Sequence, residues 1–183
     1  LNLTIVICAI CLWLFIIPGL KTATKIETAK KLSAYGYLEQ ANDLAATAVD
    51  DDVLNPSAAA LKGTIETYRY QINPPENKDE LLEAEKSFTT AINRDPADFK
   101  NYEKLSEAYQ LLAEAHPDEC AKWFEKALNA IDQAIEHYPS GGELHLKAAT
   151  IAQQLNKNDE AIEHYIQTIA IEDAYREEFK IMY

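Results

Sequence analysis

Phe99-Lys-Asn-Tyr102-Glu-Lys-Leu105-Ser106-Glu-Ala-Tyr109, followed after a turn by Cys120-Ala-Lys-Trp-Phe124-Glu-Lys-Ala127, carries two helical patterns in succession. Tyr102, Leu105, Ser106 and Tyr109 recur at helical spacing, and Cys120, Phe124 and Ala127 follow a small-xxx-aromatic-xx-Ala pattern. A second copy runs from Gly142 to Thr168, with His145, Ala148, Ala149 and Ala152 at the first offsets and Ala161, Tyr165 and Thr168 at the second. Each copy reads as a helix with an apolar stripe, a turn, and a second helix whose small residues let the pair pack closely.

The same grammar extends toward the N-terminus. Ala84-xxx-Phe88-xx-Ala91, ending at Pro96, is another second helix, preceded by a first-helix stripe of Leu61, Ile65, Tyr68 and Ile72 and a break over residues 73–78. Before that, Ile26, Ala29 and Leu32 mark one helix, Gly36 the turn, and Leu38, Ala41, Ala45 and Ala48 the next. Asn55-Pro56-Ser57 closes this pair and caps the following helix. Pro96, Pro139 and Asp173 hold successive closing positions; the last interval is one repeat of about 34 residues. The interval before it is longer, with an extension of about two helical turns that carries the second helix from Ala127 to Tyr138. Two nearly identical segments, Asp132 to Tyr138 and Asp159 to Tyr165, then present the same helix face. Phe88, Phe124 and Tyr165 are expected as equivalent interior residues, and Ser140-Gly-Gly-Glu143 as a capping box. The amphipathic tail from Ala174 to Tyr183 is expected to cover the final hairpin.

The pattern and its period resemble the tetratricopeptide repeat, whose consensus reads W-x-x-L-G-x-x-Y, then A-x-x-x-F, then Pro. Here the Trp-Leu-Gly trio is Tyr-Leu-Ser in one copy and His-Ala-Ala in the other, so the repeats are divergent. The resemblance implies an all-α fold of about four helical hairpins over residues 21–173, an α-solenoid, with residues 174–183 as its cap. It also implies a concave groove lined by the first helix of each pair. Those positions are Lys62, Glu66 and Arg69; Lys100, Glu103, Glu107 and Gln110; and Glu143, Leu146, Thr150 and Gln153. The implied partner is a protein or peptide, and the carboxylates in the set favour a basic one. Some domains of this family grip a C-terminal carboxylate with Lys and Asn at fixed groove positions. That set is not reproduced here, and Glu107 would repel such a ligand.

Leu1 to Leu20 contain no charged residue, about the length that spans a bilayer as a helix. A cleaved signal peptide would need a basic n-region and a small-residue cleavage site, and neither is evident. The expectation is a transmembrane helix over residues 1–20, in a chain that begins with Leu and reads as part of something longer. Lys21, Lys25, Lys30 and Lys31 place the repeats in the cytoplasm by the positive-inside rule. With no flank ahead of the span, the periplasmic side stays open. A last span followed by divergent repeats and an aromatic, charged tail resembles the C-terminal end of bacterial O-antigen ligase-like or polymerase-like membrane proteins. That resemblance implies the bacterial inner membrane and work on lipid-linked glycans. Catalytic residues of that family lie upstream, so none is carried onto this chain. An exported or signal-anchored free-standing repeat scaffold is the alternative.

Thirty acidic residues against 17 basic ones give a net charge of −13, which repels phosphate backbones and argues against nucleic acid. Cys8 and Cys11 have CxxC spacing but sit inside the apolar run, and Cys120 holds a packing position. None of His116, His137, His145 and His164 pairs with another at i,i+4, so no helical metal site is expected. No Gly-rich phosphate loop or G-x-S-x-G turn is present. The chain therefore reads as a non-enzymatic binding segment without a cofactor.

Overall fold

Helix follows helix from Ile17 to Met182 in the computed structural model, which describes residue 6 and residues 17–74 and 79–182. In chain order these are α1 (Ile17–Ala34), α2 (Leu38–Asp51), α3 (Pro56–Ile72), α4 (Asp79–Arg94), α5 (Phe99–Ala115), α6 (Cys120–His137), α7 (Gly142–Gln154) and α8 (Asn158–Met182). Among the described residues there is no strand. The chain divides into two compact units, Leu1–Asp95 and Pro96–Tyr183, each holding two helical hairpins.

In the first unit α1 pairs with α2 and α3 with α4, while α2 also packs on α3. Ile26, Ala29, Ala41, Ala45 and Ala48 are buried as the periodicity requires. Alanine at three successive contact positions lets the α1 and α2 backbones approach closely. The turn between them is closed by Tyr37 N–H donating to Leu32 O at 2.9 Å, with Gly36 at φ +84°, where a side chain would be strained. Asn55 caps α3, its side chain accepting from Ser57 N–H at 3.0 Å.

Along α3 the buried face is Ala58, Ala59, Gly63, Ile65 and Glu66, whereas Tyr68 and Ile72 of the expected stripe are exposed. The reason is proximity. A Cβ at Gly63 would lie 3.0 Å from three atoms of the Phe88 ring, so small residues on α3 face bulky ones on α4. The acidic end of α2, unfavourable for the helix dipole, is offset by two cations. Lys25 pairs with Asp51, and Arg94 donates to the carbonyls of Asn55 at 2.9 Å and Val49 at 3.3 Å. At Val49 the guanidinium serves a carbonyl of the last turn of α2, and at Asn55 it ties that end to the N-cap of α3.

In the second unit α5 pairs with α6 and α7 with α8, and α6 packs on α7. Tyr102, Leu105, Ser106 and Tyr109 are buried, as are His145, Ala148, Ala149 and Ala152. Ser106 Oγ donates to Ala127 O at 2.8 Å, marking the close crossing of α5 and α6. The extended α6 is 18 residues long and follows a 3-10 turn over Pro117–Glu119. Its interior register differs from expectation. Trp123 is buried and stacks on Tyr109 with ring centroids 6.0 Å apart, while Phe124 is half-buried. Tyr165 is likewise half-buried, so of the three aromatics only Phe88 lies fully inside. Gly141, not Ser140, occupies the N-cap of α7 and makes no side-chain cap. A Cβ there would meet Tyr138 Cδ1 at 2.8 Å, which is why glycine holds the position.

Residues 174–182 continue α8 as one 25-residue helix, and its Ile162, Ile166 and Ile169 stand exposed. Among the described residues, no helix is long and apolar enough to cross a membrane. The span expected over residues 1–20, with Cys8 and Cys11, falls largely outside the described residues.

Candidate functional site

The face shared by α5 and α7 carries most of the expected groove residues. Lys100 is exposed on α5, with Glu103, Glu107 and Gln110 half-buried below it. Glu143, Leu146, Thr150 and Gln153 form an exposed stripe on α7.

Lys147, one position beyond Leu146, organises this face. Its Nζ lies 2.5 Å from Glu103, 3.0 Å from Glu107 and 3.6 Å from Glu143, so one ammonium bridges α5 and α7. Lys104 supplies a second cation to Glu107 at 2.8 Å. Burial alone would push the Lys147 ammonium down, but its hydrogen bonds to Glu103 and Glu107 outweigh this and hold it above the ordinary lysine range. Burial alone would likewise raise the Glu107 carboxyl; Lys104 and Lys147 reverse that and hold it below the ordinary value.

The expected acidic groove is therefore internally neutralised. Its sequence signal was Glu103 and Glu107, and the compensating cation sits on the other helix, about one repeat away. What remains open to solvent is Lys100, Glu143 and the uncharged Leu146, Thr150 and Gln153. Leu146 is 45% exposed. Thr150 donates its hydroxyl proton to Leu146 O, and Gln153 accepts from Tyr165 Oη–H at 3.1 Å.

In the first unit the expected groove residues have a different setting. Glu66 is 3% exposed and lies between α3 and α4. It accepts from Lys62 at 2.5 Å and from Ser87 Oγ–H at 2.8 Å, while Lys62 also reaches Ser87 at 3.2 Å. Burial pushes the Glu66 carboxyl up, and Lys62 and Ser87 counter it. An open pocket of about 250 Å³ lies over this network, lined by α2, α3 and α4. Arg69 is committed to Glu39 at 2.8 Å and Glu80 at 3.1 Å.

The two similar helical segments meet in the second unit. His164 Nδ1 lies 3.1 Å from His145 Nδ1, and His145 Nε2 lies 3.1 Å from Pro139 O. A carbonyl only accepts, so His145 donates Nε2–H to Pro139 O, and in the neutral ring its Nδ1 then accepts from His164 Nδ1–H. Asp132 of the first segment sits 3.8 Å from His164 Nε2 of the second. His137, at the corresponding place in the first segment, stacks on Tyr102 instead. Among the described residues, no group of three or more His, Cys, Asp or Glu side chains is placed to hold a metal ion.

Several solved structures share this architecture. The crystal structure of MamA aligns with a TM-score of 0.69 over 86% of this chain and 81% of that one, at 17% identity. TTC0263, a thermophilic TPR protein in Thermus thermophilus, aligns with a TM-score of 0.62 over 83% of this chain and 75% of its own, at 23% identity. The first TPR of Spaghetti (RPAP3), bound to the HSP90 peptide SRMEEVD, gives 0.61 over 74% of this chain and 94% of that one, at 19% identity. No family model matches the sequence. No curated protein matches it either. What the likeness shows is the fold, an all-α helical repeat architecture of the tetratricopeptide type.

Proposed function

We propose that this chain is a non-catalytic protein-interaction module whose second unit takes a partner segment along the exposed face of α5 and α7. The observation that carries this reading is the Lys147 bridge, which fixes the two first helices and leaves Leu146 exposed on the α7 stripe with Thr150 and Gln153. A TPR domain of the same fold holds a peptide, which supports the use of such a fold for segment binding. Because Glu103 and Glu107 are already paired and the exposed Lys100 and Glu143 offset each other, the preferred segment carries little net charge and places an apolar side chain over Leu146. It is not the strongly basic segment that those two carboxylates suggest by themselves. The apolar run of residues 1–20 supports a membrane tether. The order of apolar run, repeats and charged tail supports a place at the C-terminal end of an O-antigen ligase-like glycan-assembly protein.

The test is capture of partners from membranes of the source cell by the full chain, wild type beside Leu146→Asp, at low and high salt. Wild type should retain the same partner at both salts, because little free charge contributes, and Leu146→Asp should lose it while keeping its helical circular dichroism. A partner set that Leu146→Asp leaves unchanged, or one lost to salt alone, would overturn this reading.

A further inference from the structure

The inner face of α8 is fixed against α7 by named contacts. Ala161 is buried, His164 meets His145, and Thr168 Oγ1 donates to Gly142 O at 3.3 Å. The opposite face therefore points away from the hairpin. It carries Ile162, Ile166 and Ile169, which are 55%, 58% and 61% exposed. Spacings of four and three put them in one stripe on a single helix face.

A helix surface of this kind is covered elsewhere in the molecule. The second helix α2 has α3 packed on it, and α6 has α7. Leu128 of α6, one repeat length before Ile162, is 3% exposed. The equivalent position on α8 has no such cover among the described residues. In both internal examples the cover is another helix.

The rim of the stripe states the charge of the missing helix. Asp159 and Glu163 lie beside the isoleucines, both exposed and neither ion-paired among the described residues. Glu172 and Asp173 share Arg176, and carboxylates outnumber cations along α8. A second copy of α8 laid on this face would set carboxylate against carboxylate. We propose that the outer face of α8 docks an amphipathic helix of a partner that carries Lys or Arg beside its apolar stripe. This surface is separate from the α5 and α7 face and takes a different ligand chemistry.

The test uses the full chain in phosphatidylcholine nanodiscs, with empty nanodiscs as the blank. The probe is a fluorescein-labelled synthetic amphipathic helix with leucines at i, i+4, i+7 and i+11 flanked by lysines. A matched probe carries glutamates at the flanking positions. Fluorescence anisotropy should show the lysine probe binding at least about tenfold more tightly than the glutamate probe, a difference of about 1.4 kcal/mol. Ile162→Gln/Ile166→Gln/Ile169→Gln should weaken the lysine probe by at least about tenfold, with far-UV circular dichroism unchanged because the three side chains are exposed. Asp159→Lys/Glu163→Lys should invert the preference between probes, and Leu146→Asp should change neither affinity. Equal binding to wild type and the triple variant, or equal binding of the two probes, would overturn the proposal. So would light scattering that shows a wild-type dimer abolished by the triple variant, since a second copy would then be the occupant.

Discussion

Phe88→Ala is expected to lower the unfolding free energy by about 3–5 kcal/mol, the range for a fully buried aromatic whose removal leaves a cavity. Phe88 is 1% exposed, and its ring fills the space opposite Gly63, where even a Cβ would be crowded. The neighbouring helices cannot collapse onto the void without shifting α3 against α4. Phe124→Ala and Tyr165→Ala should cost less, about 1–2 kcal/mol each, because both rings are half-exposed and lose less transfer free energy. Filling the same contact from the other side should also destabilise, with Gly63→Val costing about 1–3 kcal/mol through overpacking. Denaturant titrations followed by far-UV circular dichroism measure all four variants. Equal losses for the three aromatic truncations would refute the packing described here.

Lys62→Met should cost about 2–4 kcal/mol at neutral pH. Removing one partner of a buried ion pair strands the other, a penalty of about 3–5 kcal/mol when both are fully buried. Lys62 is 21% exposed at its side chain, and solvent screening shifts that range down by about 1 kcal/mol. The pH dependence has a definite sign. Burial raises the Glu66 carboxyl above its ordinary value, so the folded state binds this proton more readily than the unfolded one. The stranded charge therefore penalises folding above the folded-state value and ceases to do so as pH falls through it. The gap between Lys62→Met and wild type should narrow as the pH is lowered from 7 toward the ordinary carboxyl value of 4.5. Lys62→Met/Glu66→Met should recover most of the loss at neutral pH, because it removes the charge together with its partner. A gap that stays constant with pH would mean that Glu66 is not the charge left behind.

These two sites also show what could be read from the chain alone. The Ala84, Phe88 and Ala91 spacing gave the buried face of α4 directly, since local periodicity is enough to place one helix face in the core. The signature residues of α5 and α7 were equally legible for the same reason. On α3 the spacing placed Ile65 and Leu61 in the core correctly, but Tyr68 and Ile72 misled, because that helix packs closely on α2 and α4 and gives further contacts to Ala58, Ala59 and Gly63. On α6, Trp123 and Phe124 are adjacent large aromatics, and one-residue register cannot be decided by spacing when either could fill the site. The candidate face was legible in its members but not in its electrostatics. Lys147 lies forty residues or more from Glu103 and Glu107 in sequence, and only the folded hairpins bring it between them. For the same reason a double charge reversal, Glu103→Lys/Glu107→Lys, is a poor probe of the surface. It would place new ammonium groups against Lys147 and disturb the hairpin packing itself.

If the chain holds a partner on the α5 and α7 face, in-cell photo-crosslinking will capture it, with a benzophenone amino acid introduced singly at Leu146 and Thr150, and at Thr47 and Glu136 as exposed positions elsewhere. One discrete protein adduct shared by Leu146 and Thr150 and absent from Thr47 and Glu136 is the expected result. No adduct from the first two positions, or the same adducts from all four, would contradict it.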